Sequence, residues 1–314
     1  MRIGRSAGVT DTGRQRLRNE DAFVCEPPLF AVADGMGGAR AGEVAARLAA
    51  AALEEAGTKA RGAGDVVELI AEANRRIWER SVADPQTAGM GTTVTVALVE
   101  PASRTVTIGH VGDSRAYLLR DGAIEQLTTD HSLVAELVQG GVLTPEEAEH
   151  HPQRSAITRA LGTEPNVEID AFTVEAAPGD VFLLCSDGLS TMVADESVAS
   201  VIEAADRDPA RAAEALVAAA NAEGGQDNVT VVLFELVEGE AEASEPEEDT
   251  GSGPVQDQTP PADAEARGSD AVEGENSGSI STHGAGPGGR LPALLFIVAI
   301  LAVGALVLYW GISR

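Results

Sequence analysis

Acidic residues at the ends of short apolar runs constrain the fold of this chain more than any other feature. Leu29–Ala33 is an apolar run that ends at Asp34, and Val181–Cys185 ends two residues before Asp187. Asp227 lies just ahead of a third apolar run. Runs of this length, bounded by turn residues, predict buried strands. We therefore expect a sheet-containing fold in which several strands deliver carboxylates at their tips.

Helical patterns come in pairs between the predicted strands. Ala41–Ala56 and Val66–Arg80 have apolar residues at helical spacing, and Asp195–Ala205 and Pro209–Ala222 repeat this pattern. Strand runs that look antiparallel, combined with paired helices, indicate an α+β fold of two sheets flanked by helices. The further predicted strands are Gly91–Val99, Arg104–Val111, Arg115–Leu119, a short strand after the tight turn at Asp121-Gly122, and Val229–Leu236.

Residues from about 128 to 165 form a polar insert between predicted strands. Ser132–Gln139 has a helical pattern, which a pair of glycines stops. A second short helix is predicted to begin after Thr144, because Thr144-Pro145-Glu146-Glu147 combines a capping box with proline at the first helical position. Two short helices in such an insert predict a mobile flap near a functional site.

The chain divides into a globular domain, a polar linker and an apolar segment. Residues 1–237 have globular texture, whereas residues 238–290 are rich in Glu, Asp, Gly, Ser and Pro and predict a disordered linker. Residues 291–312 carry no charge and predict a transmembrane helix, since about 20 apolar residues span a bilayer core of roughly 30 Å. A buried core helix is the alternative for this segment, and the long linker before it argues against that alternative.

Charge and cysteine content narrow the possible partners and the compartment. The formal net charge of −28 argues against nucleic acid and anionic headgroups as partners. Cys25 and Cys185 lie in or beside apolar strand runs, which predicts small buried thiols in a reducing compartment. Because Met1–Gly13 lacks the apolar core of a signal peptide, we expect a cytoplasmic domain held at the cell membrane by a single-pass anchor.

Carboxylates gathered at strand tips need positive charge between them. Asp34, Asp187 and Asp227 would repel one another strongly in a dry site, and divalent cations remove that repulsion. Ligands that are all oxygen select Mg²⁺ or Mn²⁺ over Zn²⁺. Gly35 leaves room for its own carbonyl to approach a cation. An ordinary Asp-Gly turn is the alternative for each motif taken singly.

The same residues favour the hydrolysis of a phosphate ester. Two divalent ions roughly 3.5–4 Å apart can activate a water molecule for in-line attack on phosphorus. Arg16, ahead of Asn19-Glu20-Asp21, supplies a guanidinium fork of the kind that binds two phosphate oxygens. A surface salt bridge is the alternative for Arg16.

The motifs and their order resemble those of bacterial members of the metal-dependent PPM (type 2C) protein serine/threonine phosphatase family. The resemblance extends over residues 8–236 and implies a four-layer α-β-β-α sandwich of two mostly antiparallel sheets flanked by paired helices. The residues that carry it are, in chain order, Arg16, Glu20-Asp21, Asp34-Gly35-Met36-Gly37-Gly38, Gly89-Met90-Gly91-Thr92-Thr93, Gly112-Asp113-Ser114-Arg115, Ser186-Asp187-Gly188 and Asp227-Asn228.

This resemblance implies which residues bind two Mn²⁺ or Mg²⁺ ions. Asp34 would bridge both ions, and the carbonyl of Gly35 would bind one of them. Asp187 and Asp227 would complete the other position. Asp187 would also be shared with a third, looser ion that bacterial relatives bind.

The remaining site residues surround these ligands. Asp113 matches the third-ion position, and Ser155 in the flap would add an oxygen ligand there. Glu20 and Asp21 would hold metal-bound waters, and Arg16 would receive the substrate phosphate. The resemblance therefore implies two or three ions in all.

One position departs from the animal members of the family. Those members carry a histidine just after the Asp-Gly pair, thought to protonate the leaving group, and this chain has Met36 there. Methionine has no proton to donate. His131 is a candidate donor from its position in the flap, and a structural histidine is the alternative.

The expected activity is removal of phosphate from phosphoserine and phosphothreonine in proteins, in opposition to a bacterial transmembrane serine/threonine kinase. A catalytically inactive phosphoprotein-binding module of the same fold is the alternative, and the presence of all three metal-binding aspartates argues against it. A phosphatase for antagonists of anti-sigma factors is a third possibility. It is disfavoured because such relatives usually carry N-terminal sensory segments.

Overall fold

Two antiparallel sheets pack face to face, and helices cover their outer surfaces. The computed structural model describes residues 1–37 and 41–239. The predicted membrane span, residues 291–312, and the linker beyond residue 239 lie outside the described residues. The strands are β1 Arg2–Asp11, β2 Asp21–Glu26, β3 Leu29–Met36, β4 Gly91–Thr92, β5 Val94–Glu100, β6 Thr105–Val111, β7 Arg115–Arg120, β8 Ala123–Gln126, β9 Asp170–Glu175, β10 Val181–Cys185 and β11 Val229–Val237. The helices are α1 Ala41–Gly57, α2 Gly62–Ala83, α3 Leu133–Gln139, α4 Pro145–Glu149, α5 Asp187–Ser190, α6 Asp195–Ala204 and α7 Pro209–Ala222.

The layer order is helices, sheet, sheet, helices. The first sheet has the strand order β1-β11-β10-β7-β8, and the second has β2-β3-β5-β6-β9 with β4 paired to β3. Every pairing between these strands is antiparallel. Helices α1 and α2 pack on the second sheet, and α6 and α7 pack on the first. The predicted α+β sandwich of two sheets flanked by paired helices is therefore confirmed for the described residues.

The alternation of side chains along each strand builds three cores. In β3, Phe30 and Val32 face the opposite sheet, whereas Ala31 and Ala33 face α1 and α2. Successive strand residues point to opposite faces, so a strand covered on both sides is apolar throughout. Phe234 of β11 stacks on Phe30 across the two sheets, with ring centroids 4.2 Å apart. The continuous apolar runs of the sequence are thus explained by burial on both faces.

Three strands were not predicted from the sequence. Strands β1, β2 and β9 are mostly half-buried, so they lack the continuous apolar runs of the central strands. All three lie at sheet edges. The predicted strand Gly91–Val99 is interrupted at Thr93, whose N–H bonds the carbonyl of Asp34 over 2.9 Å.

The polar insert folds as expected into two short helices. Ser132 caps α3, and Thr144 forms a complete capping box at the start of α4. An isolated bridge joins Ser132 to Ile157 within the insert. The insert is attached to the domain by a second bridge, from Leu161 to Thr92, and by a 2.7 Å hydrogen bond from the His131 N–H to the carbonyl of Gly112. No helix within residues 1–37 and 41–239 is long and apolar enough to cross a membrane.

The two ends of the sandwich carry different residues. At one end, β3 finishes beside the start of β2, and β10 finishes beside the start of β11. The other end of β11 leads to Gly239, whose carbonyl accepts a 2.8 Å hydrogen bond from the amino group of Met1. The predicted site residues belong to the first end.

Candidate metal centre

Strand pairing brings the predicted aspartates together at one end of the sandwich. Asp34 in β3 lies directly opposite Asp21 in β2. Asp187 is the first residue of α5, just after β10, and Asp227 precedes β11, the neighbour of β10. Asp187 lies close enough to Asp34 for its charge to raise the pKa of the Asp34 carboxyl. The structure therefore assembles acidic groups that are distant in the sequence.

Burial and mutual repulsion disfavour the charged forms of these carboxyl groups. Burial, followed by the charges of Asp21 and Asp187, raises the pKa of Asp34 well above its ordinary value. Burial likewise raises the pKa of Asp21 to about 7 and that of Asp187 to about 6. A positive charge beside these groups would favour their charged forms and lower their pKa values.

Asp113 borders the same cluster from the second sheet. It lies in the turn between β6 and β7, where burial and then the charge of Asp187 raise its pKa to about 7. Asp113 also contributes to the raised pKa of Asp34. The structure therefore brings Asp113 within electrostatic range of the residues predicted to share a third ion.

The donor set fits hard divalent cations. Asp21 Oδ1 and Asp187 Oδ1 are buried without a hydrogen-bond partner among the described residues. Buried polar atoms nearly always have a hydrogen-bond partner. Two carboxylate oxygens without one, in the same cluster, are therefore suited to bind a cation. As the side chains stand, no three His, Cys, Asp or Glu residues in the described ranges are grouped closely enough to hold an ion. The fit therefore rests on the orphaned oxygens and on the all-oxygen chemistry, which suits Mg²⁺ and Mn²⁺.

Gly35 is confined by backbone on both sides. A side chain there would collide with the carbonyl oxygens of Glu20 and Gly42. The Gly35 N–H also bonds the Glu20 carbonyl over 3.2 Å. Only glycine permits this close approach of chains next to Asp34.

Arg16 stands at the solvent edge of the cluster. Its Nη2 donates to Asp227 Oδ2 over 2.6 Å, and its side chain is 54% exposed. Burial raises the pKa of Glu20, and the charge of Arg16 opposes that rise. The salt bridge considered from sequence does form, and its partner is one of the predicted metal-binding aspartates.

Asn228 is a site residue whose role the sequence did not reveal. Its Oδ1 accepts from Glu20 N–H over 2.7 Å. Its Nδ2 donates to the carbonyls of Thr12 and Arg18, at 2.9 and 2.8 Å. The motif drew attention to Asn228, but these partners lie more than 200 residues away and left no local signal.

Hydroxyl groups position the backbone beneath the aspartates. Thr93 Oγ1 accepts from Asp34 N–H over 3.2 Å and lies 2.7 Å from Ser114 Oγ. Thr230 Oγ1 donates to Asp21 Oδ2 over 2.6 Å. The Thr93–Ser114 bridge joins the strand that carries Asp34 to the turn that carries Asp113.

Two flap residues have different positions. His131 Nδ1 accepts from Gly112 N–H over 3.1 Å, and its Nε2 lies 3.1 Å from Asp170 Oδ2. With both ring nitrogens engaged and the residue only 5% exposed, the geometry supports the structural reading of His131. Ser155 is exposed in the loop after α4 and forms no hydrogen bond with the aspartates among the described residues, so its metal role stays a prediction.

Comparison with known proteins agrees with this arrangement. Residues 12–225 match the protein phosphatase 2C family, and the chain belongs to that family. The serine/threonine phosphatase Stp of Listeria monocytogenes is 41% identical over 238 residues, covering 72% of this chain and 93% of the relative.

Solved structures of bacterial phosphatases have the same fold. The phosphatase PstP of Mycobacterium tuberculosis superimposes with a TM-score of 0.71 at 40% identity, covering 75% of this chain and all of that one. A PstP catalytic domain in complex with two manganese ions superimposes with a TM-score of 0.69 at 39% identity, covering 75% and 99%. This chain is accordingly a metal-dependent serine/threonine protein phosphatase.

Proposed function

We propose that this phosphatase removes phosphate from phosphoserine and phosphothreonine in proteins through a centre built on Asp34, Asp187 and Asp227. The observation that carries the proposal is the presence of two buried carboxylate oxygens, Asp21 Oδ1 and Asp187 Oδ1, that have no hydrogen-bond partner among the described residues, with Asp21 directly opposite Asp34. All three aspartates are present at one end of the sandwich. A binding module without activity would not need this concentration of buried charge.

The proposed metal ligands follow from their positions. Asp34, Asp187 and Asp227, with the Gly35 carbonyl, would hold two Mn²⁺ or Mg²⁺ ions. In such a site, the ions lower the pKa of water and polarise a phosphoryl oxygen. Asp113 is the further ligand that we propose for a third ion, because its pKa responds to the charge of Asp187.

The remaining predicted residues border these ligands. Glu20 lies near enough to Asp227 for that charge to act on its pKa, and Asp21 lies opposite Asp34, so both would orient solvent around the ions. Ser155 is the least supported of the proposed ligands, because it lies exposed in the flap.

Arg16 is proposed to bind the substrate phosphate. Its ion pair with Asp227 is half exposed, and exposed pairs contribute only about 0–1 kcal/mol. Arg16 can therefore exchange Asp227 for a phosphate, which its guanidinium fork binds through two oxygens. Because Met36 has no proton to give and both ring nitrogens of His131 are engaged, we infer that solvent protonates the leaving hydroxyl.

The setting that we propose is the cytoplasmic face of the cell membrane, opposite a transmembrane serine/threonine kinase. Residues 291–312 would form the anchor and residues 238–290 the linker. Strand β11 has nine residues and therefore separates Asp227 from the start of the linker by roughly 25–30 Å. Such a tether would leave the site open and raise the local concentration of membrane-bound substrates.

The proposed centre is tested by kinetics and metal binding on the full chain. Asp34→Asn should lower kcat on a phosphothreonine peptide by about 10²–10³ or more, since it removes a charged ligand at the centre. EDTA should abolish turnover, and calorimetry should show weaker Mn²⁺ binding by the variant. Asp121→Asn, in the exposed turn between β7 and β8, is the matched control. Turnover by Asp34→Asn at the wild-type rate would overturn the assignment.

A further inference from the structure

The loop from Arg14 to Arg18 is held at both ends by hydrogen bonds, although all five of its residues are exposed. The carbonyl of Gly225 accepts hydrogen bonds from the N–H groups of Arg14 and Gln15, at 2.7 and 3.2 Å. The Asn228 side chain bonds the carbonyl of Arg18 at the other end of the loop. A surface held in one conformation before binding loses little entropy when a partner arrives.

Leu17 is the most exposed large apolar residue in the described part of the chain. Its exposed fraction is 98%, compared with 67% for Val82 and for Val142. A single exposed leucine is ordinary on a protein surface. The position of Leu17 is unusual, because Leu17 directly follows Arg16, the residue that we propose to bind the substrate phosphate. The Cα atoms of the two residues are therefore only about 3.8 Å apart. An exposed apolar group at this position is next to the residue that we propose to bind the substrate phosphate.

The loop is also a positive segment in an acidic protein. Arg14, Arg16 and Arg18 lie within five residues that include no acid, whereas the whole chain has a formal net charge of −28. Arg14 and Arg18 form no ion pair among the described residues. The charge of Arg18 also reaches the edge of the centre, where it acts on Glu20. These arginines are therefore available to attract an anionic partner.

We propose that the Arg14–Arg18 loop is the docking surface for the substrate segment next to the phosphorylated residue. Leu17 contacts an apolar side chain beside that residue, and Arg14 and Arg18 attract acidic side chains farther along the segment. The preferred substrate is thus a phosphopeptide stretch with one apolar neighbour and an acidic flank. This proposal rests on the proposed role of Arg16 as the phosphate ligand.

A protein segment fits the loop better than a lipid surface does. An exposed leucine between arginines also suits insertion into an anionic bilayer. The loop, however, lies beside Asp227, at the opposite end of β11 from Gly239, where the proposed tether leaves the domain. A loop at the far end of the domain from its membrane anchor is better placed for protein substrates.

The test compares peptides with a small substrate on the full chain. Phosphothreonine peptides carry leucine or serine beside the phosphorylated residue, and aspartate or lysine farther away, with p-nitrophenyl phosphate as the substrate without flanks. For Leu17→Ser, we expect the ratio of kcat/KM for the leucine peptide to that for p-nitrophenyl phosphate to fall about tenfold. The change should lie in KM. Val82→Ser, which removes an exposed apolar side chain from α2, should leave this ratio unchanged.

The arginines are tested by the double variant Arg14→Gln with Arg18→Gln. It should remove the preference for aspartate over lysine and flatten the dependence of KM on salt concentration, because exposed charges are screened.

Among the peptides, the one with serine beside the phosphorylated residue should respond least to Leu17→Ser, since it has no apolar side chain to contact Leu17.

Other results would overturn the docking proposal. Equal hydrolysis of all peptides by the wild type, or an unchanged preference in the variants, would show that the loop does not recognise the residues that flank the phosphorylated residue. The vesicle measurement uses chains that end at Gly239, because the three cores lie before that residue. Binding of this shortened wild type, but not of its Leu17→Ser variant, to phosphatidylglycerol vesicles, with unchanged peptide preference, would assign the loop to a membrane instead. Failure of the wild type to hydrolyse either kind of substrate would overturn the proposed function, and the docking proposal with it.

Discussion

At the residue scale, the position of Asp34 favours cation binding but lowers the stability of the metal-free fold. Its carboxyl is buried and lies near the charges of Asp21, Asp187 and Asp113. Each of these neighbours raises its pKa, so that ionising Asp34 at neutral pH costs folding free energy unless cations are bound. This proposed metal ligand is therefore expected to weaken the metal-free fold.

This conflict predicts that Asp34→Asn stabilises the protein when metal is removed. A neutral amide ends the repulsion, so in EDTA at pH 8 we expect the variant to melt several degrees above the wild type, about 2–4 °C for each kcal/mol. Added Mn²⁺ should then raise the melting temperature of the wild type far more than that of the variant. Calorimetry checks both expectations, and a variant that melts below the wild type in EDTA would contradict them.

His110 makes a pH-dependent contribution to stability. It is fully buried, with Thr95 Oγ1 at 3.0 Å and the carbonyl of Thr129 at 3.2 Å, and burial lowers its pKa to about 4. An unfolded histidine has a pKa of about 6.5, so the unfolded chain takes up a proton first as the pH falls. The contribution of neutral His110 is therefore complete above pH 6.5 and is lost toward pH 4.

Replacing His110 should flatten this part of the stability profile. The wild type should lose up to about 3 kcal/mol between pH 6.5 and pH 4 through this one group. Urea unfolding of His110→Gln across that range should show a correspondingly smaller slope. His150→Gln, at an exposed position, is the control and should keep the wild-type slope. Identical slopes for both variants would contradict the assignment.

At the scale of elements, a break in one strand connects the two sides of the centre. Thr93 separates β4 from β5, and its hydroxyl meets Ser114 Oγ and the N–H of Asp34. Both hydroxyl residues are almost fully buried. The bridge therefore sets the spacing between the strand that carries Asp34 and the turn that carries Asp113.

A double-mutant cycle measures this bridge. Thr93→Val should lower the free energy of unfolding by about 1–3 kcal/mol, since it leaves Ser114 Oγ and an N–H buried without a partner. Ser114→Ala should do the same, and the two effects should be non-additive by about 1 kcal/mol. Ser103 and Thr105 form an exposed hydroxyl pair at the same 2.7 Å distance and provide the control cycle. Strict additivity at Thr93 and Ser114 would exclude a coupling role for the bridge.

At the scale of the whole molecule, the two ends of the domain have separate tasks. The carboxylates lie at one end of the sandwich, and Met1 and Gly239 meet at the other. All three apolar cores consist of residues up to Leu236. The described residues thus form three apolar cores among themselves.

A chain that ends at Gly239 should therefore fold and remain active. Its melting temperature should stay within a few degrees of that of the full chain, and its kcat/KM on a free phosphopeptide should stay within about twofold. Both are expected because the three cores lie within the described residues. If residues 291–312 form the proposed anchor, the full chain should sediment with membranes and the shortened chain should not. Loss of folding on truncation would contradict the expectation that the shortened chain folds. A full chain that stays in the soluble fraction would contradict the proposed anchor.

Much of the fold and of the centre was predictable because the relevant signals are local. The apolar run before Asp34, the capping box at Thr144 and the helix from Pro209 to Ala222 each depend on residues a few positions apart. The order of the acidic motifs then pointed to the family. Strand β1 was missed because its Gly, Arg and Ser residues lack a regular apolar pattern at an edge position.

The sequence by itself therefore determined which residues form the central strands and helices, and which acids stand at their tips. Only the tertiary structure placed Asp21 opposite Asp34, gave Asn228 its three distant partners and exposed Leu17 on a loop held at both ends. Local patterns reflect backbone geometry and burial within a few residues. These contacts join positions far apart in the chain, and their energies depend on how the two sheets pack.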